Sequence, residues 1–297
     1  MDDGSAARKD SEHRRAHRPS FIVIGAMKSG TTSLYYYLQA HPEIFMPAIK
    51  ELDFFTAEMN WKRGWRWYER QFTLAGSDIK AVGEASTTYT KYPQYAGVAQ
   101  RIAEHLPDAR LIYIIRDPID RIRSQYQHHV AIGIERAPFE EAVLENPYYV
   151  DFSRYACQIE QYLEHFPREQ LLIVTSEDLR RERVATLGKV YDFVGVDEGV
   201  AHTVPAEEHF TTEGRLAYPA VVASTRRALR RVWPGSVGVA KFIPGPVKQL
   251  LGKSMVSQSS GLAMTGAVRK RLEDALREDV TRLRNYMPPG FDGWGIA

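Results

Sequence analysis

The sequence predicts a three-layer α/β fold, a central parallel sheet flanked by helices, on three observations. Apolar runs at Phe21–Ile24, Leu111–Ile115 and Leu171–Val174 each lead into a segment with helical periodicity. The runs lie tens of residues apart, which suits parallel strands joined by right-handed helical crossovers. No repeat of fixed period runs through the chain, so a solenoid is excluded.

The first unit is Phe21-Ile-Val-Ile-Gly25-Ala-Met-Lys28-Ser29-Gly30-Thr31-Thr32-Ser33-Leu34. It reads as a strand, a short loop of small residues with one lysine, and a helix start. Such a loop offers unpaired backbone N–H groups and the positive end of the helix dipole, and this pairing cradles phosphate or sulfate oxygens. The spelling departs from that of nucleotide triphosphatases: Gly25 and Gly30 keep the spacing of G-x-x-x-x-G-K-[ST], but Thr31 stands where the lysine belongs. The lysine is Lys28, inside the loop, so the fold is P-loop-like with a variant loop.

The helix is expected to end near Ala40, ahead of His41-Pro42. Lys50-Glu51-Leu52-Asp53-Phe54-Phe55 sets charged residues just before an aromatic pair. Trp61, Trp65, Trp67, Tyr68 and Phe72 fall mostly at helical spacing and read as core in preference to an aromatic acceptor wall. Lys80 to Tyr89 reads as a short strand running into a polar loop, and Gln94 to His105 as an amphipathic helix. The second unit enters Arg116-Asp117-Pro118, where an acid and a proline suit a helix start, with the helix reaching towards His129. Ser124 on that helix approaches the same ligand as Arg116. In open α/β sheets ligands bind at the carboxyl ends of the strands, where Lys28 and Arg116 are expected. His128 and His129 diverge by about 100° on a helix, which argues against a shared metal. A helix from Ser153 to Phe166, another from Val184 to Val194 and a long terminal helix about Val268–Tyr286 complete the pattern.

Composition bounds the rest. At 297 residues the chain is long enough for a single large domain, 19–297, after a tail, residues 1–18, that mixes charges and lacks the apolar region of a signal peptide. The lone cysteine, Cys157, excludes an internal disulfide and a cysteine-based metal cluster. No run of about 18 apolar residues exists, so no transmembrane segment is expected and the cytoplasm is the default location. A net charge of +2 hides an asymmetry: Arg215 to Leu272 holds eleven Lys or Arg and no Asp or Glu. That stretch, about 215–262, reads as a basic lid or acceptor-binding segment, with peripheral contact to an anionic membrane as the alternative. Nucleic acid is not expected as a partner, and the oligomeric state is not legible.

Two anchors together, the strand followed by Lys28 to Leu34 and the strand followed by Arg116-Asp117-Pro118 with Ser124, resemble the sulfotransferases that use 3′-phosphoadenosine 5′-phosphosulfate (PAPS). The layout is most similar to the domains that modify heparan sulfate and to their bacterial relatives. The resemblance covers about Phe21–Val196 and, more loosely, Phe291–Trp294. It implies that Lys28, Ser29, Gly30, Thr31, Thr32 and Ser33 hold the 5′-phosphosulfate, and Arg116 and Ser124 the 3′-phosphate. It implies Glu51 as general base, Gly214 and Arg215 in a loop closing over the donor, and no essential metal. The implied product is adenosine 3′,5′-bisphosphate. The acceptor is open: a small molecule, a carbohydrate or a glycolipid, sulfated on a hydroxyl, with an amine as the lesser alternative. Two departures stand out. Ala85 follows Glu84 where heparan-modifying members carry a lysine, and Glu213 replaces the lysine of the closing loop. The competing readings are a small-molecule kinase or nucleotide hydrolase with an aberrant loop, and a non-enzymatic module that docks on anionic surfaces.

Overall fold

The computed structural model describes residues 18–73, 75–76, 78–204 and 264–297. Five strands form one sheet: β1 (Phe21–Gly25), β2 (Ile44–Phe45), β3 (Ala81–Ala85), β4 (Arg110–Ile115) and β5 (Leu171–Thr175). Their order is β2-β3-β1-β4-β5 and every pairing is parallel. Phe21 sits at the centre, opposite Gly83 on one side and Arg110 on the other. A Cβ at Gly83 would lie 2.1 Å from the Phe21 ring, so the missing side chain makes room for it.

Alternation along the strands builds the layers. Ile22, Ile24, Leu111, Tyr113 and Ile115 enter one apolar cluster, while Phe21, Val23, Ile112 and Ile114 enter the other. Residues of α1 (Thr31–Gln39) and α9 (Arg183–Val194) cover the second face, through Leu34, Leu38, Leu187 and Val190. The first face is covered by α3 (Val98–His105), α7 (Tyr155–Leu163) and the aromatic segment with α2 (Trp65–Glu69). Burial on both faces is why these strands read as unbroken apolar runs. A third cluster joins α4 (Pro118–Ala131) and α5 (Phe139–Glu145) to the terminal α10 (Gly266–Leu283) through Ile119, Phe139, Leu272 and Leu276. Short α6 (Tyr148–Asp151) and α8 (Ser176–Arg181) complete the helices.

Several boundaries differ from the sequence expectations, each for a local reason. The expected helix from Gln94 begins only at Val98, because Gly97 takes a left-handed φ of 70°. The aromatic segment is broken by Gly64 (φ 78°) into a turn at Trp61–Arg63, then α2, then a turn at Arg70–Phe72. Its core role holds: Tyr68 and Phe72 are fully buried and the three tryptophans pack against the same cluster. Strand β2 and helices α5, α6 and α8 had no expectation. Among the described residues no helix is long and apolar enough to cross a membrane. Residues 1–17 of the tail, Gly214, Arg215 and most of the basic stretch lie outside the described residues.

At the end of β1, Gly25 has a φ of 154°, and a Cβ there would fall 1.9 Å from Thr90 Oγ1. Gly25→Ala is therefore expected to destabilise the fold by about 1–3 kcal/mol, read as a lower midpoint in urea unfolding. An unchanged midpoint would show that Thr90 yields freely.

Candidate active site

The loop after β1 turns sharply: Ala26 N–H donates to Ile114 O (2.7 Å) and Ser29 N–H to Ala26 O (3.2 Å). Lys28 and Gly30 both have left-handed backbone, with φ of 70° and 94°. For lysine this is an uncommon conformation that the surrounding structure must hold. Helix α1 starts at Thr31 with no side-chain cap and no acid in its first turn. Gly30 to Ser33 line the cleft, and a helix start with neither a side-chain cap nor an acid in its first turn suits an anion.

The neighbouring unit is built differently. Asp117 caps α4, its Oδ1 accepting from Ile119 N–H (2.8 Å) and Asp120 N–H (3.0 Å). The amides of that helix are thereby occupied, and the unit meets the cleft through side chains instead. Arg116, paired with Asp120 at 3.0 Å, and buried Ser124 both line it.

These parts face a cleft of about 1020 Å³. Lys28, Gly30, Thr31, Thr32, Ser33, Glu51, Arg116 and Ser124 line it together, whereas Ser29 of the same loop is fully buried and does not. Glu51 is at φ 64° and Asp53 at φ 49°. Glu51 Oε2 accepts from Thr87 N–H (2.7 Å) and Thr87 Oγ1 (3.0 Å), and Oε1 is paired with Lys50. Asp53 Oδ1 accepts from Thr88 Oγ1 (2.7 Å).

The structure adds Lys50, Asp53, Lys91, Arg123, His128 and Arg180 to the cleft lining. Lys91 follows the polar loop after β3, and its position beyond a strand's carboxyl end is the signal that would have found it. Its ammonium lies 5.6 Å from the Phe152 ring. Burial lowers the Lys91 pKa, opposed by the charges of Glu51 and Asp53. Burial likewise raises Asp53, with some help from Glu51. Among the described residues six basic side chains (Lys28, Lys50, Lys91, Arg116, Arg123, Arg180) line the cleft against three carboxylates (Glu51, Asp53, Asp120), a balance that favours an anionic ligand. His128 and His129 have ring centroids 6.2 Å apart and His129 Nδ1 lies 3.2 Å from Tyr149 Oη. Among the described residues no cluster of three or more His, Cys, Asp or Glu is placed to hold a metal ion.

Residues 18–213 match the model of the sulfotransferase domain family. The chain belongs to that family. It is 33% identical over 199 residues to human bifunctional heparan sulfate N-deacetylase/N-sulfotransferase 3, covering 60% of this chain and 22% of that protein. Human heparan sulfate glucosamine 3-O-sulfotransferase 3B1 is 27% identical over 215 residues, covering 68% of this chain and 51% of the relative. This sulfotransferase-family chain thus spans from about a fifth to half of the length of these relatives. Among solved structures, a sulfotransferase from Alicyclobacillus acidocaldarius aligns with a TM-score of 0.67 at 26% identity, covering 94% of this chain and 99% of that one.

Behind the cleft, Glu84 is fully buried at the end of β3, and desolvation pushes its pKa from 4.5 up to about 7 although Tyr68, Tyr89 and Ser86 donate to it. Sequence reading names it only as the residue before Ala85 and gives it no role. A carboxyl whose folded pKa lies above its unfolded one stabilises most at low pH, and that contribution fades as pH rises through the folded value. The sulfotransferase-family fold is therefore expected to lose up to about 3 kcal/mol through this group between pH 4.5 and 8. Glu84→Gln, which does not ionise, should show a flatter urea-stability profile over that window; parallel profiles would contradict the assignment.

Proposed function

We propose that this protein transfers the sulfuryl group of PAPS to an acceptor hydroxyl, with an amine as the lesser alternative. The single observation that carries the reading is the meeting, in one basic cleft, of the open amide end of α1 beside Lys28, the Arg116–Ser124 pair on the adjacent unit, and the Glu51 carboxylate. Two separated cationic anchors suit a donor that carries phosphate at two positions. Family membership supports sulfuryl transfer as the reaction class.

In this reading Lys28 and the amides of Gly30–Ser33 hold the phosphosulfate, while Arg116 and Ser124 hold the 3′-phosphate. Sulfuryl transfer is expected to resemble phosphoryl transfer, with a loose in-line transition state in which charge grows on the leaving oxygen. The Lys28 ammonium stabilises that charge. The acceptor oxygen bonds to sulfur as the bond from sulfur to the bridging phosphate oxygen breaks. Glu51 takes the acceptor proton, and adenosine 3′,5′-bisphosphate leaves. Thr87 and Lys50 fix the orientation of the Glu51 carboxylate. The names of the relatives, one an N-sulfotransferase and one a 3-O-sulfotransferase of heparan sulfate, support a carbohydrate acceptor. Closure by Gly214 and Arg215 belongs to the same proposal.

Three variants test the roles. Arg116→Ala should weaken adenosine 3′,5′-bisphosphate binding by calorimetry at least tenfold, the loss of a charge-assisted bond worth about 1.5–3 kcal/mol. Lys28→Ala should cut turnover with sulfur-labelled PAPS by about 10²- to 10³-fold. Glu51→Gln should cut it by about 10²- to 10⁴-fold while bisphosphate affinity stays within twofold. Tight binding of Mg²⁺-ATP with no affinity for the bisphosphate would overturn the donor assignment in favour of a kinase.

A further inference from the structure

The loop 51–56 presents Glu51 and Asp53 to the cleft, and much of its backbone hangs on the turn that follows β3. Glu51 N–H donates to Ala85 O at 2.9 Å and Asp53 N–H to Ser86 Oγ at 3.0 Å. Phe54 N–H and Phe55 N–H both reach the Tyr89 hydroxyl, at 3.0 and 3.4 Å. Two of its residues that are not glycine sit at positive φ, a conformation kept only when neighbours impose it. The neighbours that impose it here are largely hydroxyl oxygens.

A hydroxyl carries one proton and two acceptor sites, so it can turn either way. At both hydroxyls the proton is claimed by one group. Ser86 Oγ donates to Glu84 Oε2 at 3.2 Å, and Tyr89 donates to Glu84 Oε1 at 2.9 Å. Tyr68 donates to the same Oε1 at 2.8 Å. With their protons drawn to Glu84, the Ser86 and Tyr89 oxygens can only accept on the loop side, which is what the amides of Asp53, Phe54 and Phe55 require. Glu84 itself does not line the cleft.

We infer that Glu84 is a positioning residue: it polarises the Ser86 and Tyr89 hydroxyls into acceptors and so fixes the strained loop that aims Glu51 at the acceptor. The inference rests on reading Glu51 as the base. A glutamine at this position has one acceptor oxygen and one NH₂ donor. Facing the NH₂, Tyr89 must accept from it in competition with the two loop amides it already serves, whereas Ser86 must release its proton, which is then free to turn towards the loop.

The test uses the full chain at pH 8, above the value of about 7 to which burial raises Glu84, with Glu84→Gln and, as a milder second variant, Ser86→Ala. Three measurements are made: amide hydrogen exchange, calorimetric binding of adenosine 3′,5′-bisphosphate, and turnover of sulfur-labelled PAPS. In both variants peptides covering 51–56 should exchange at least tenfold faster while those of β1 and β4 are unchanged. Bisphosphate affinity should stay within twofold and turnover should fall at least tenfold, with the donor KM unmoved. Unchanged exchange of 51–56 in both variants overturns the inference. So does a loss of bisphosphate affinity in step with turnover, which marks a general loss of structure. A wild-type chain that binds no bisphosphate and transfers no sulfate defeats the donor reading instead, and the exchange data still decide whether Glu84 holds the loop.

Discussion

The contrast between two helix starts governs the cleft. β1 and β4 are neighbours, with Val23 opposite Ile112, so the loops that leave them emerge side by side. Each loop feeds a helix whose first amides need acceptors. At α4 the chain supplies its own carboxylate, Asp117, and closes that end. At α1 it supplies no side-chain cap, and it bends Lys28 and Gly30 into left-handed backbone to aim the loop inward. One start is thus left without a side-chain cap and the other is closed by its own carboxylate. Adjacent strands lie about 4.8 Å apart, so the sheet itself sets the separation of the two anchors.

The charges around those anchors follow from burial as much as from number. Asp53 and Lys91 are both pushed towards their neutral forms by desolvation, and each is partly restored by its surroundings, Asp53 by the Thr88 hydroxyl and Lys91 by Glu51 and Asp53. A pair so placed is sensitive to whatever displaces water from the cleft, because removing solvent strengthens every interaction among these groups. The lysine that the family resemblance leads one to expect after Glu84 is Ala85, yet the same segment delivers Lys91 to the cleft six residues later. The cation is absent from the motif but not from the site.

That difference marks where sequence reading succeeds. β1, β4 and β5 were legible because both faces are covered, which forces continuous apolar runs. β2 was not, since a two-residue strand leaves no pattern. Lys28, Glu51, Arg116 and Ser124 were legible because each sits in or beside a short motif attached to a strand end. Lys91, Arg123 and Arg180 carry no motif of their own: Lys91 is marked only by following a strand's carboxyl end, Arg123 only by its place beside Ser124 on α4, and Arg180 comes from a separate segment that the folded sheet brings in. Glu84 was invisible for another reason: its role lies in which way two hydroxyl protons point, and a one-dimensional reading has no access to direction.

The two halves of the cleft are consequently held by different physics. The α1 and α4 half depends on main-chain geometry fixed by strand pairing, in which Gly25, Lys28 and Gly30 adopt backbone angles with a large apolar sheet behind them. The Glu51 half depends on side-chain hydrogen bonds passed from a single buried carboxylate through Ser86 and Tyr89 to a loop with no strand of its own. The main-chain path of the first kind is kept when Lys28 or Arg116 is replaced, although the contact made by the lost side chain is not. A polar network of the second kind does not, because each member satisfies the next and a half-satisfied buried network costs more than an apolar one. The anion anchors are therefore set by the fold, whereas the aim of the carboxylate is set by a few hydroxyl groups that can change independently of it.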